Sequence, residues 1–270
     1  MKVRRVARSM IPVRVRQRIL WALAWPRTAR LVSDVRSFRQ LRRLENKTTK
    51  WHDPTIAIRV RALGGHEVHV RPSTTDRYTF TDTFLAQYHL PPMGISNLQT
   101  IWDLGANIGL TAAHFAFLYP HAHITGVELD SENAELAERN TDRWRDRCVI
   151  ICAAVWTSDG EIAYRRERGH EQAFRVTSDA ANAAARAISL STLLENTPAR
   201  IVDYVKMDIE GAERELLRNG TEWAAAVRSI GVEVHPPYTV SDCAHDLDLL
   251  GFETKVDDRH FAAVFGLRSP

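Results

Sequence analysis

The segment Asp103-Leu104-Gly105-Ala106-Asn107-Ile108-Gly109 closes an apolar, strand-like run at 100–104 and opens a helical stretch reaching about residue 118. Glycine at such a turn removes Cβ, so the backbone can reverse sharply at a strand end and let a ligand approach the carboxyl edge of a sheet. The pattern then repeats along the chain. A strand at 124–129 leads into a helix over 131–144, capped by Ser131 and lined outside with Glu132, Glu135, Glu138 and Arg139. A strand at 149–155, an irregular stretch at 157–187, a strand at 201–207 and a helix at 211–219 come next. A strand at 230–234, a helix at 241–250 and two closely spaced strands at 252–257 and 261–267 end the chain. Strands separated by helices predict an α/β, Rossmann-like architecture. Its sheet is mainly parallel and seven-stranded, with helices on both faces and an antiparallel edge from the terminal pair.

Upstream of this domain the sequence changes character. Residues 55–72 alternate, with Ile56, Ile58 and Val60 before Gly64-Gly65 and Val68 and Val70 after, which predicts a β-hairpin on a two-residue glycine turn. Residues 76–90 predict a helix carrying Phe80, Phe84, Leu85 and Tyr88, closed by Pro91-Pro92. The expected division is therefore a basic arm at 1–50, a hairpin and helix packed on the domain at 51–98, and the ligand-binding domain at 99–270.

Charge sets the arm apart. Residues 1–50 hold 15 Lys/Arg against Asp34 and Glu45, so they carry +13 and the other 220 residues carry −10 of a whole-chain +3. An acidic domain would repel phosphate everywhere except at the arm, which argues against a nucleic-acid partner. Trp21 and Trp25 beside Arg14, Arg16 and Arg18 suit a peripheral membrane contact, and equally an arm that packs its apolar residues on the domain or on a second subunit. The apolar run at 19–25 is far short of the ~20 residues that span a bilayer. Three cysteines, Cys148, Cys152 and Cys243, make neither a disulfide framework nor a zinc site and read as reduced thiols, so a cytoplasmic location is expected, with possible placement against the inner membrane face.

Four groups of residues carry the chemistry. In the glycine turn, Asn107 stands where a dinucleotide fingerprint has its second glycine, which would crowd a pyrophosphate. An amino-acid moiety suits the turn better: Asp103 can attract its ammonium, and the amides of the helix N-terminus its carboxylate. Glu128 ends the next strand 25 residues later, placed to accept hydrogen bonds from ribose hydroxyls, while Asp130 reads as a surface residue. In Lys206-Met207-Asp208-Ile209-Glu210-Gly211-Ala212-Glu213, an extended backbone would direct Asp208 and Glu210 to the same side, at the rim that the glycine turn also borders. Two carboxylates there can bind a hydroxyl, take its proton or hold a divalent cation. His235 follows the fifth parallel strand, with Glu233 on its side to orient it. Glu213 falls inside the next helix and can equally face solvent.

Together these residues resemble the FkbM family of methyltransferases from about residue 68 to the end. The likeness rests on Val70-Arg71-Pro72 with Thr75-Asp76, on the turn at 103–109, on Glu128 and on the block at 205–213, the most specific part. It implies a class I methyltransferase fold and O-methylation of a sugar, glycolipid or other natural-product hydroxyl, with S-adenosylmethionine as cofactor. Asp103, Gly105, Asn107, Gly109, Glu128, Thr75 and Asp76 then line the cofactor, and Asp208, Glu210 and His235 are the candidates for the base. No metal ligand set is assigned. The sequence departs from the family where Leu129-Asp130 follows Glu128 in place of a proline-containing stretch, and residues 1–50 lie outside the pattern. Two rivals share the fold. A nicotinamide oxidoreductase is disfavoured by Asn107 and the missing Tyr-x-x-x-Lys pair. A non-catalytic nucleoside-binding module would have no use for Asp208 and Glu210.

Overall fold

The computed structural model describes residues 28–44, 53–92, 95, 97–166, 174–176, 183–257, 260 and 262–268. The expectations for the arm outside 28–44, including Trp21 and Trp25, lie outside the described residues.

Helix α1 (Val35–Leu44) buries Leu41 and Leu44 and ties to the hairpin through Ser37, whose hydroxyl accepts from the Arg59 amide at 2.9 Å. The hairpin pairs β1 (Ile56–Val60) with β2 (His66–Val70), Ile56 opposite Val70. Its connection is five residues long, not two. A 3₁₀ turn at Arg61–Leu63 drives Leu63 fully into the core before Gly64 and Gly65, both at positive φ, reverse the chain. The helix expected over 76–90 is shorter: α2 (Asp76–Thr81) runs into a π-helical turn at Asp82–Ala86 and stops at Gln87 in the left-handed region.

The main sheet then assembles around β3 (Thr100–Leu104), followed by α3 (Leu110–Leu118), β4 (His123–Glu128), α4 (Ser131–Thr141) and β5 (Cys148–Cys152). The strand expected at 149–155 breaks at Ala153. Its second half, β6 (Ala154–Trp156), joins β7 (Gly160–Arg166), β8 (Phe174–Val176) and β9 (Ala183–Ser189) in a separate four-stranded sheet of order β6-β9-β7-β8. The stretch read as irregular is thus an inserted sheet. Beyond it lie α5 (Leu190–Glu195), β10 (Tyr204–Met207), α6 (Glu213–Arg218), β11 (Ser229–Glu233), α7 (Val240–Leu249), β12 (Glu253–Val256) and β13 (Ala263–Leu267).

The seven-stranded order is β12-β13-β11-β10-β3-β4-β5, with β13 antiparallel to both neighbours and the other six strands running in one direction. All five residues of β3 are buried, as a central strand covered on both faces requires. Successive side chains divide between two cores: Ile101 joins α3, α4 and the hairpin, while Trp102 and Leu104 join Leu216, Leu217, Trp223 and Leu247. Asn140 on α4 fastens the hairpin, accepting from the His69 amide at 2.6 Å and donating to the carbonyls of His69 and Ile108. Among the described residues no helix is long and apolar enough to cross a membrane.

Candidate active site

The chain leaves β3 towards β4 and β5, then returns to the other side of β3 as β10. Loops at the carboxyl ends of β3 and β10 therefore diverge and open a crevice, the place where α/β sheets bind ligands. Two features hold it open at a fixed width. Gly105 sits at φ +79°, and a Cβ there would lie 1.7 Å from the Asp208 carbonyl oxygen, so no larger residue fits. Lys206 Nζ donates to the Gly105 carbonyl at 2.8 Å and stands 3.3 Å from Asp103 and 3.4 Å from Asp208. Burial opposes its charge, but the surrounding carboxylates raise its pKa, so the ammonium pins the two strand ends together.

On one side of the crevice is a cavity of about 70 Å³ walled by Val127, Leu129, Ala153, Val155, Ile209 and Ala212, with Glu128 at its base. Glu128 accepts from the Asn107 amide at 2.8 Å and the Asp130 amide at 2.9 Å, which fixes its carboxylate in place. A carboxylate has about four acceptor sites, so capacity remains for a vicinal diol. Asn107 can adopt φ +50° because its own side chain accepts from the Ile108 amide at 2.8 Å. Burial pushes Glu128 up to about 7, opposed by these amides. Apolar walls around a clamped carboxylate fit a nucleoside.

Asp130 is not a surface residue. It is buried and caps α4 in place of Ser131, accepting from the Asn133 amide at 3.0 Å. Asn133 in turn approaches Glu128 at 3.4 Å and accepts from Arg71 at 2.6 Å, and Arg71 forms a two-pronged pair with buried Asp76. Asp76 thus stands behind Glu128, joined to it through Arg71 and Asn133. Neither Thr75 nor Asp76 lines the cavity. Gly109 does not either: its missing Cβ lets α3 close on Ala137 of α4. Asp103 is fully buried behind the turn, accepting from Thr111 and paired with Lys206.

A second cavity, about 260 Å³, shares Gly105, Asn107, Asp208 and Glu210 with the first. Its far wall comes from Thr79, Asp82 and Thr83 on α2 and the π turn, from Tyr88 and His89, and from Glu233, His260 and Phe265. Asp208 and Glu210 do converge here, though not by strand alternation. β10 ends at Met207, and Glu210 takes φ +56° before Gly211 at φ +110°, which swings its carboxylate back towards the strand end. His235 Nε2 lies 3.4 Å from Glu210 and 3.8 Å from Asp208.

The residue that orients His235 is Glu213, not Glu233. Glu213 is fully buried and accepts from His235 Nδ1 at 2.7 Å. It also receives the amides of Ile209 and Gly211, at 3.4 and 3.2 Å, which hold the turn that carries Glu210. Glu233 instead faces His260 at 3.8 Å. Burial alone would depress the His235 pKa, but the hydrogen bond to Glu213 and the charges of Asp208 and Glu210 raise it to about 9. Burial, then repulsion from Asp208, pushes Glu210 up to about 7, and Glu233 rises to about 7 for the same reasons. Atoms of Asp208, Glu233 and His235 lie within 4.8 Å of one another, a spacing that also suits a cation, and Lys206 already brings one to Asp208.

Sequence reasoning gave no role to Lys206, Glu213, Asp82, Tyr88 or His260. The spacing of Thr79, Asp82 and Thr83, at i, i+3 and i+4 opposite Phe80 and Phe84, was the available signal for a polar face.

The methyltransferase FkbM domain matches residues 103–254. The hexuronic acid methyltransferase AglP of Haloferax volcanii is 24% identical over 137 residues, which cover 51% of this chain and 56% of that protein; the chain thus spans about half the length of the curated relative it matches. Among solved structures, the precorrin-6y C5,15-methyltransferase of Geobacter metallireducens aligns with 68% of this chain and 84% of its own, at TM-score 0.42 and 10% identity. The fibrillarin pre-rRNA processing protein of Methanococcus jannaschii aligns with 82% and 85%, at TM-score 0.43 and 13% identity.

Proposed function

The chain belongs to the FkbM family of methyltransferases, and from that premise we propose that it transfers a methyl group from S-adenosylmethionine to a sugar hydroxyl. The seven-stranded sheet with its antiparallel edge is the Rossmann-like class I methyltransferase fold. The observation that carries the reading is the junction of the two cavities at Gly105, Asn107, Asp208 and Glu210. A nucleoside held on Glu128 meets the acceptor cavity at this junction, between the clamped strand ends.

Glu128 fits the ribose diol, the apolar walls at Ala153–Val155 and Ile209 fit the base, and the turn at 105–107 fits the amino-acid end. Bound there, S-adenosylmethionine supplies an electrophilic methyl on a sulfonium. The protein's task is then alignment and proton removal, and alignment alone contributes up to roughly 7–11 kcal/mol in well-oriented systems. Glu210 is the base in this reading. A pKa of about 7 leaves part of it ionised at neutral pH, able to accept a proton from a hydroxyl that loses it as the C–O bond forms. His235, at about 9, is protonated at neutral pH and serves as the cation that steadies Glu210 and Asp208. A sugar acceptor is supported by the carboxylates, which accept hydrogen bonds from neighbouring hydroxyls, and by the hexuronic acid named for the relative.

The test is transfer of radiolabelled methyl from S-adenosylmethionine onto a panel of glycans by the wild type and Glu210→Gln. Labelled methyl ether in the wild type, with kcat lowered about 10²–10⁴-fold in the variant, supports the reading. Unchanged turnover in Glu210→Gln removes it as the base.

A further inference from the structure

We propose that the acceptor is an amino sugar, whose ammonium group sits among Asp82, Glu233 and Asp208 while a neighbouring hydroxyl faces Glu210. This rests on the methyltransferase reading above and concerns the charge of the second cavity. Four carboxylates line it, from three separate parts of the chain: Asp82 from the π turn after α2, Asp208 and Glu210 from the end of β10, and Glu233 from the end of β11. Among the described residues the basic groups nearby are already engaged. Lys206 divides its charge between Asp103 and Asp208, and His235 faces Glu213 and Glu210. His260 approaches Glu233 at 3.8 Å, and its imidazole packs against Tyr88 at a tilt, with ring centroids 4.8 Å apart and planes at 53°. Among the described residues Asp82 forms no ion pair. Burial holds its pKa above the usual range, with His260 opposing and repulsion from Asp208 adding to the rise.

An acceptor bearing a carboxylate would enter this cavity against like charge on three sides, whereas one bearing an ammonium neutralises charge that the described residues leave uncompensated. The Tyr88 ring adds a face on which a cation or the C–H side of a sugar ring can lie. At about 260 Å³ the cavity falls below the ~300–1,000 Å³ of drug-sized pockets, a size for a single ring and not for an extended chain. The hexuronic acid of the relative is therefore the acceptor that this cavity disfavours.

Initial rates at pH 7 with radiolabelled S-adenosylmethionine would be compared on the methyl glycosides of glucosamine, N-acetylglucosamine and glucuronic acid, and on the same three in the galacto series. The free amine should exceed its N-acetyl counterpart by about tenfold or more in kcat/KM, with the uronide slowest. Asp82→Asn and Glu233→Gln should each shrink that ratio. An N-acetyl or uronic sugar used as well as the amine overturns the proposal, as does a ratio that neither substitution changes. Silence of every sugar from a protein that still binds S-adenosylhomocysteine overturns it while leaving the cofactor reading intact. Loss of S-adenosylhomocysteine binding in the unsubstituted protein overturns both.

Discussion

At the scale of single residues, Glu210 titrates near neutrality, pushed up to about 7, and His235 above it, raised to about 9. Below about 7 Glu210 carries a proton and cannot accept another; above about 9 His235 loses the charge that faces it. The profile of kcat/KM against pH should therefore be a bell with limbs near those values. Its acid limb belongs jointly to Glu210 and Glu233, since both rise to about 7. Glu213→Gln removes the carboxylate that holds His235 Nδ1, so the alkaline limb should move down towards 6.5. Stability follows the same group. A histidine raised from 6.5 to about 9 on folding contributes stability that is complete below 6.5 and lost as pH rises through 9. Melting temperatures of Glu213→Gln at pH 6 and pH 9.5 should accordingly differ less than those of the wild type. Asp208, Glu210 and His235 were all legible in the sequence because each follows closely on a strand. Glu213 was not, because its partner lies 22 residues away and only the turn at 209–211 brings the two together.

Among the elements, the β3 turn carries the most rigid requirement. Gly105→Ala would put a Cβ into the Asp208 carbonyl at a backbone angle that disfavours any side chain, so β10 and β3 must separate. A cost of at least about 2 kcal/mol is expected, which for a chain of this size lowers the melting temperature by roughly 5 °C or more. S-adenosylhomocysteine binding should fail with it. A melting curve that matches the wild type would show that the turn relaxes freely. The parallel strands were readable because apolar runs alternate with helical stretches. The inserted sheet was not, since Ala183-Ala184-Ala185 in β9 has low strand propensity and β7 mixes Glu161 and Arg165 with Ile162 and Tyr164. The break at Ala153 was hidden by an unbroken apolar run; the ladder to β4 runs as far as the Ala153 amide, which donates to the Glu128 carbonyl at 2.9 Å. The π turn after α2 likewise leaves no trace in the apolar spacing, yet it presents Asp82 to the acceptor cavity.

For the molecule as a whole, residues 28–44 of the basic segment belong to the folded core. Leu31, Val32, Leu41 and Leu44 are buried in the same core as the hairpin, and Val32 bridges to Val60, so this part of the expected arm is built into the fold. Removal of residues 1–50 strips four buried aliphatic side chains, each contributing about 1.5–3 kcal/mol, and should unfold or sharply destabilise the protein. Binding to vesicles rich in anionic lipid that disappears with residues 1–27 alone would place the membrane contact there. The most direct check on the account is calorimetric titration with S-adenosylhomocysteine at pH 6 and pH 8, for the wild type and Glu128→Ala. Burial holds Glu128 near 7 in the free protein and a ribose diol favours its ionised form, so binding should be micromolar at pH 8, about tenfold weaker at pH 6 and lost in the variant. Equal affinity in the wild type and Glu128→Ala, or no heat from either, would contradict the assignment of this cavity to a nucleoside and with it the methyl donor.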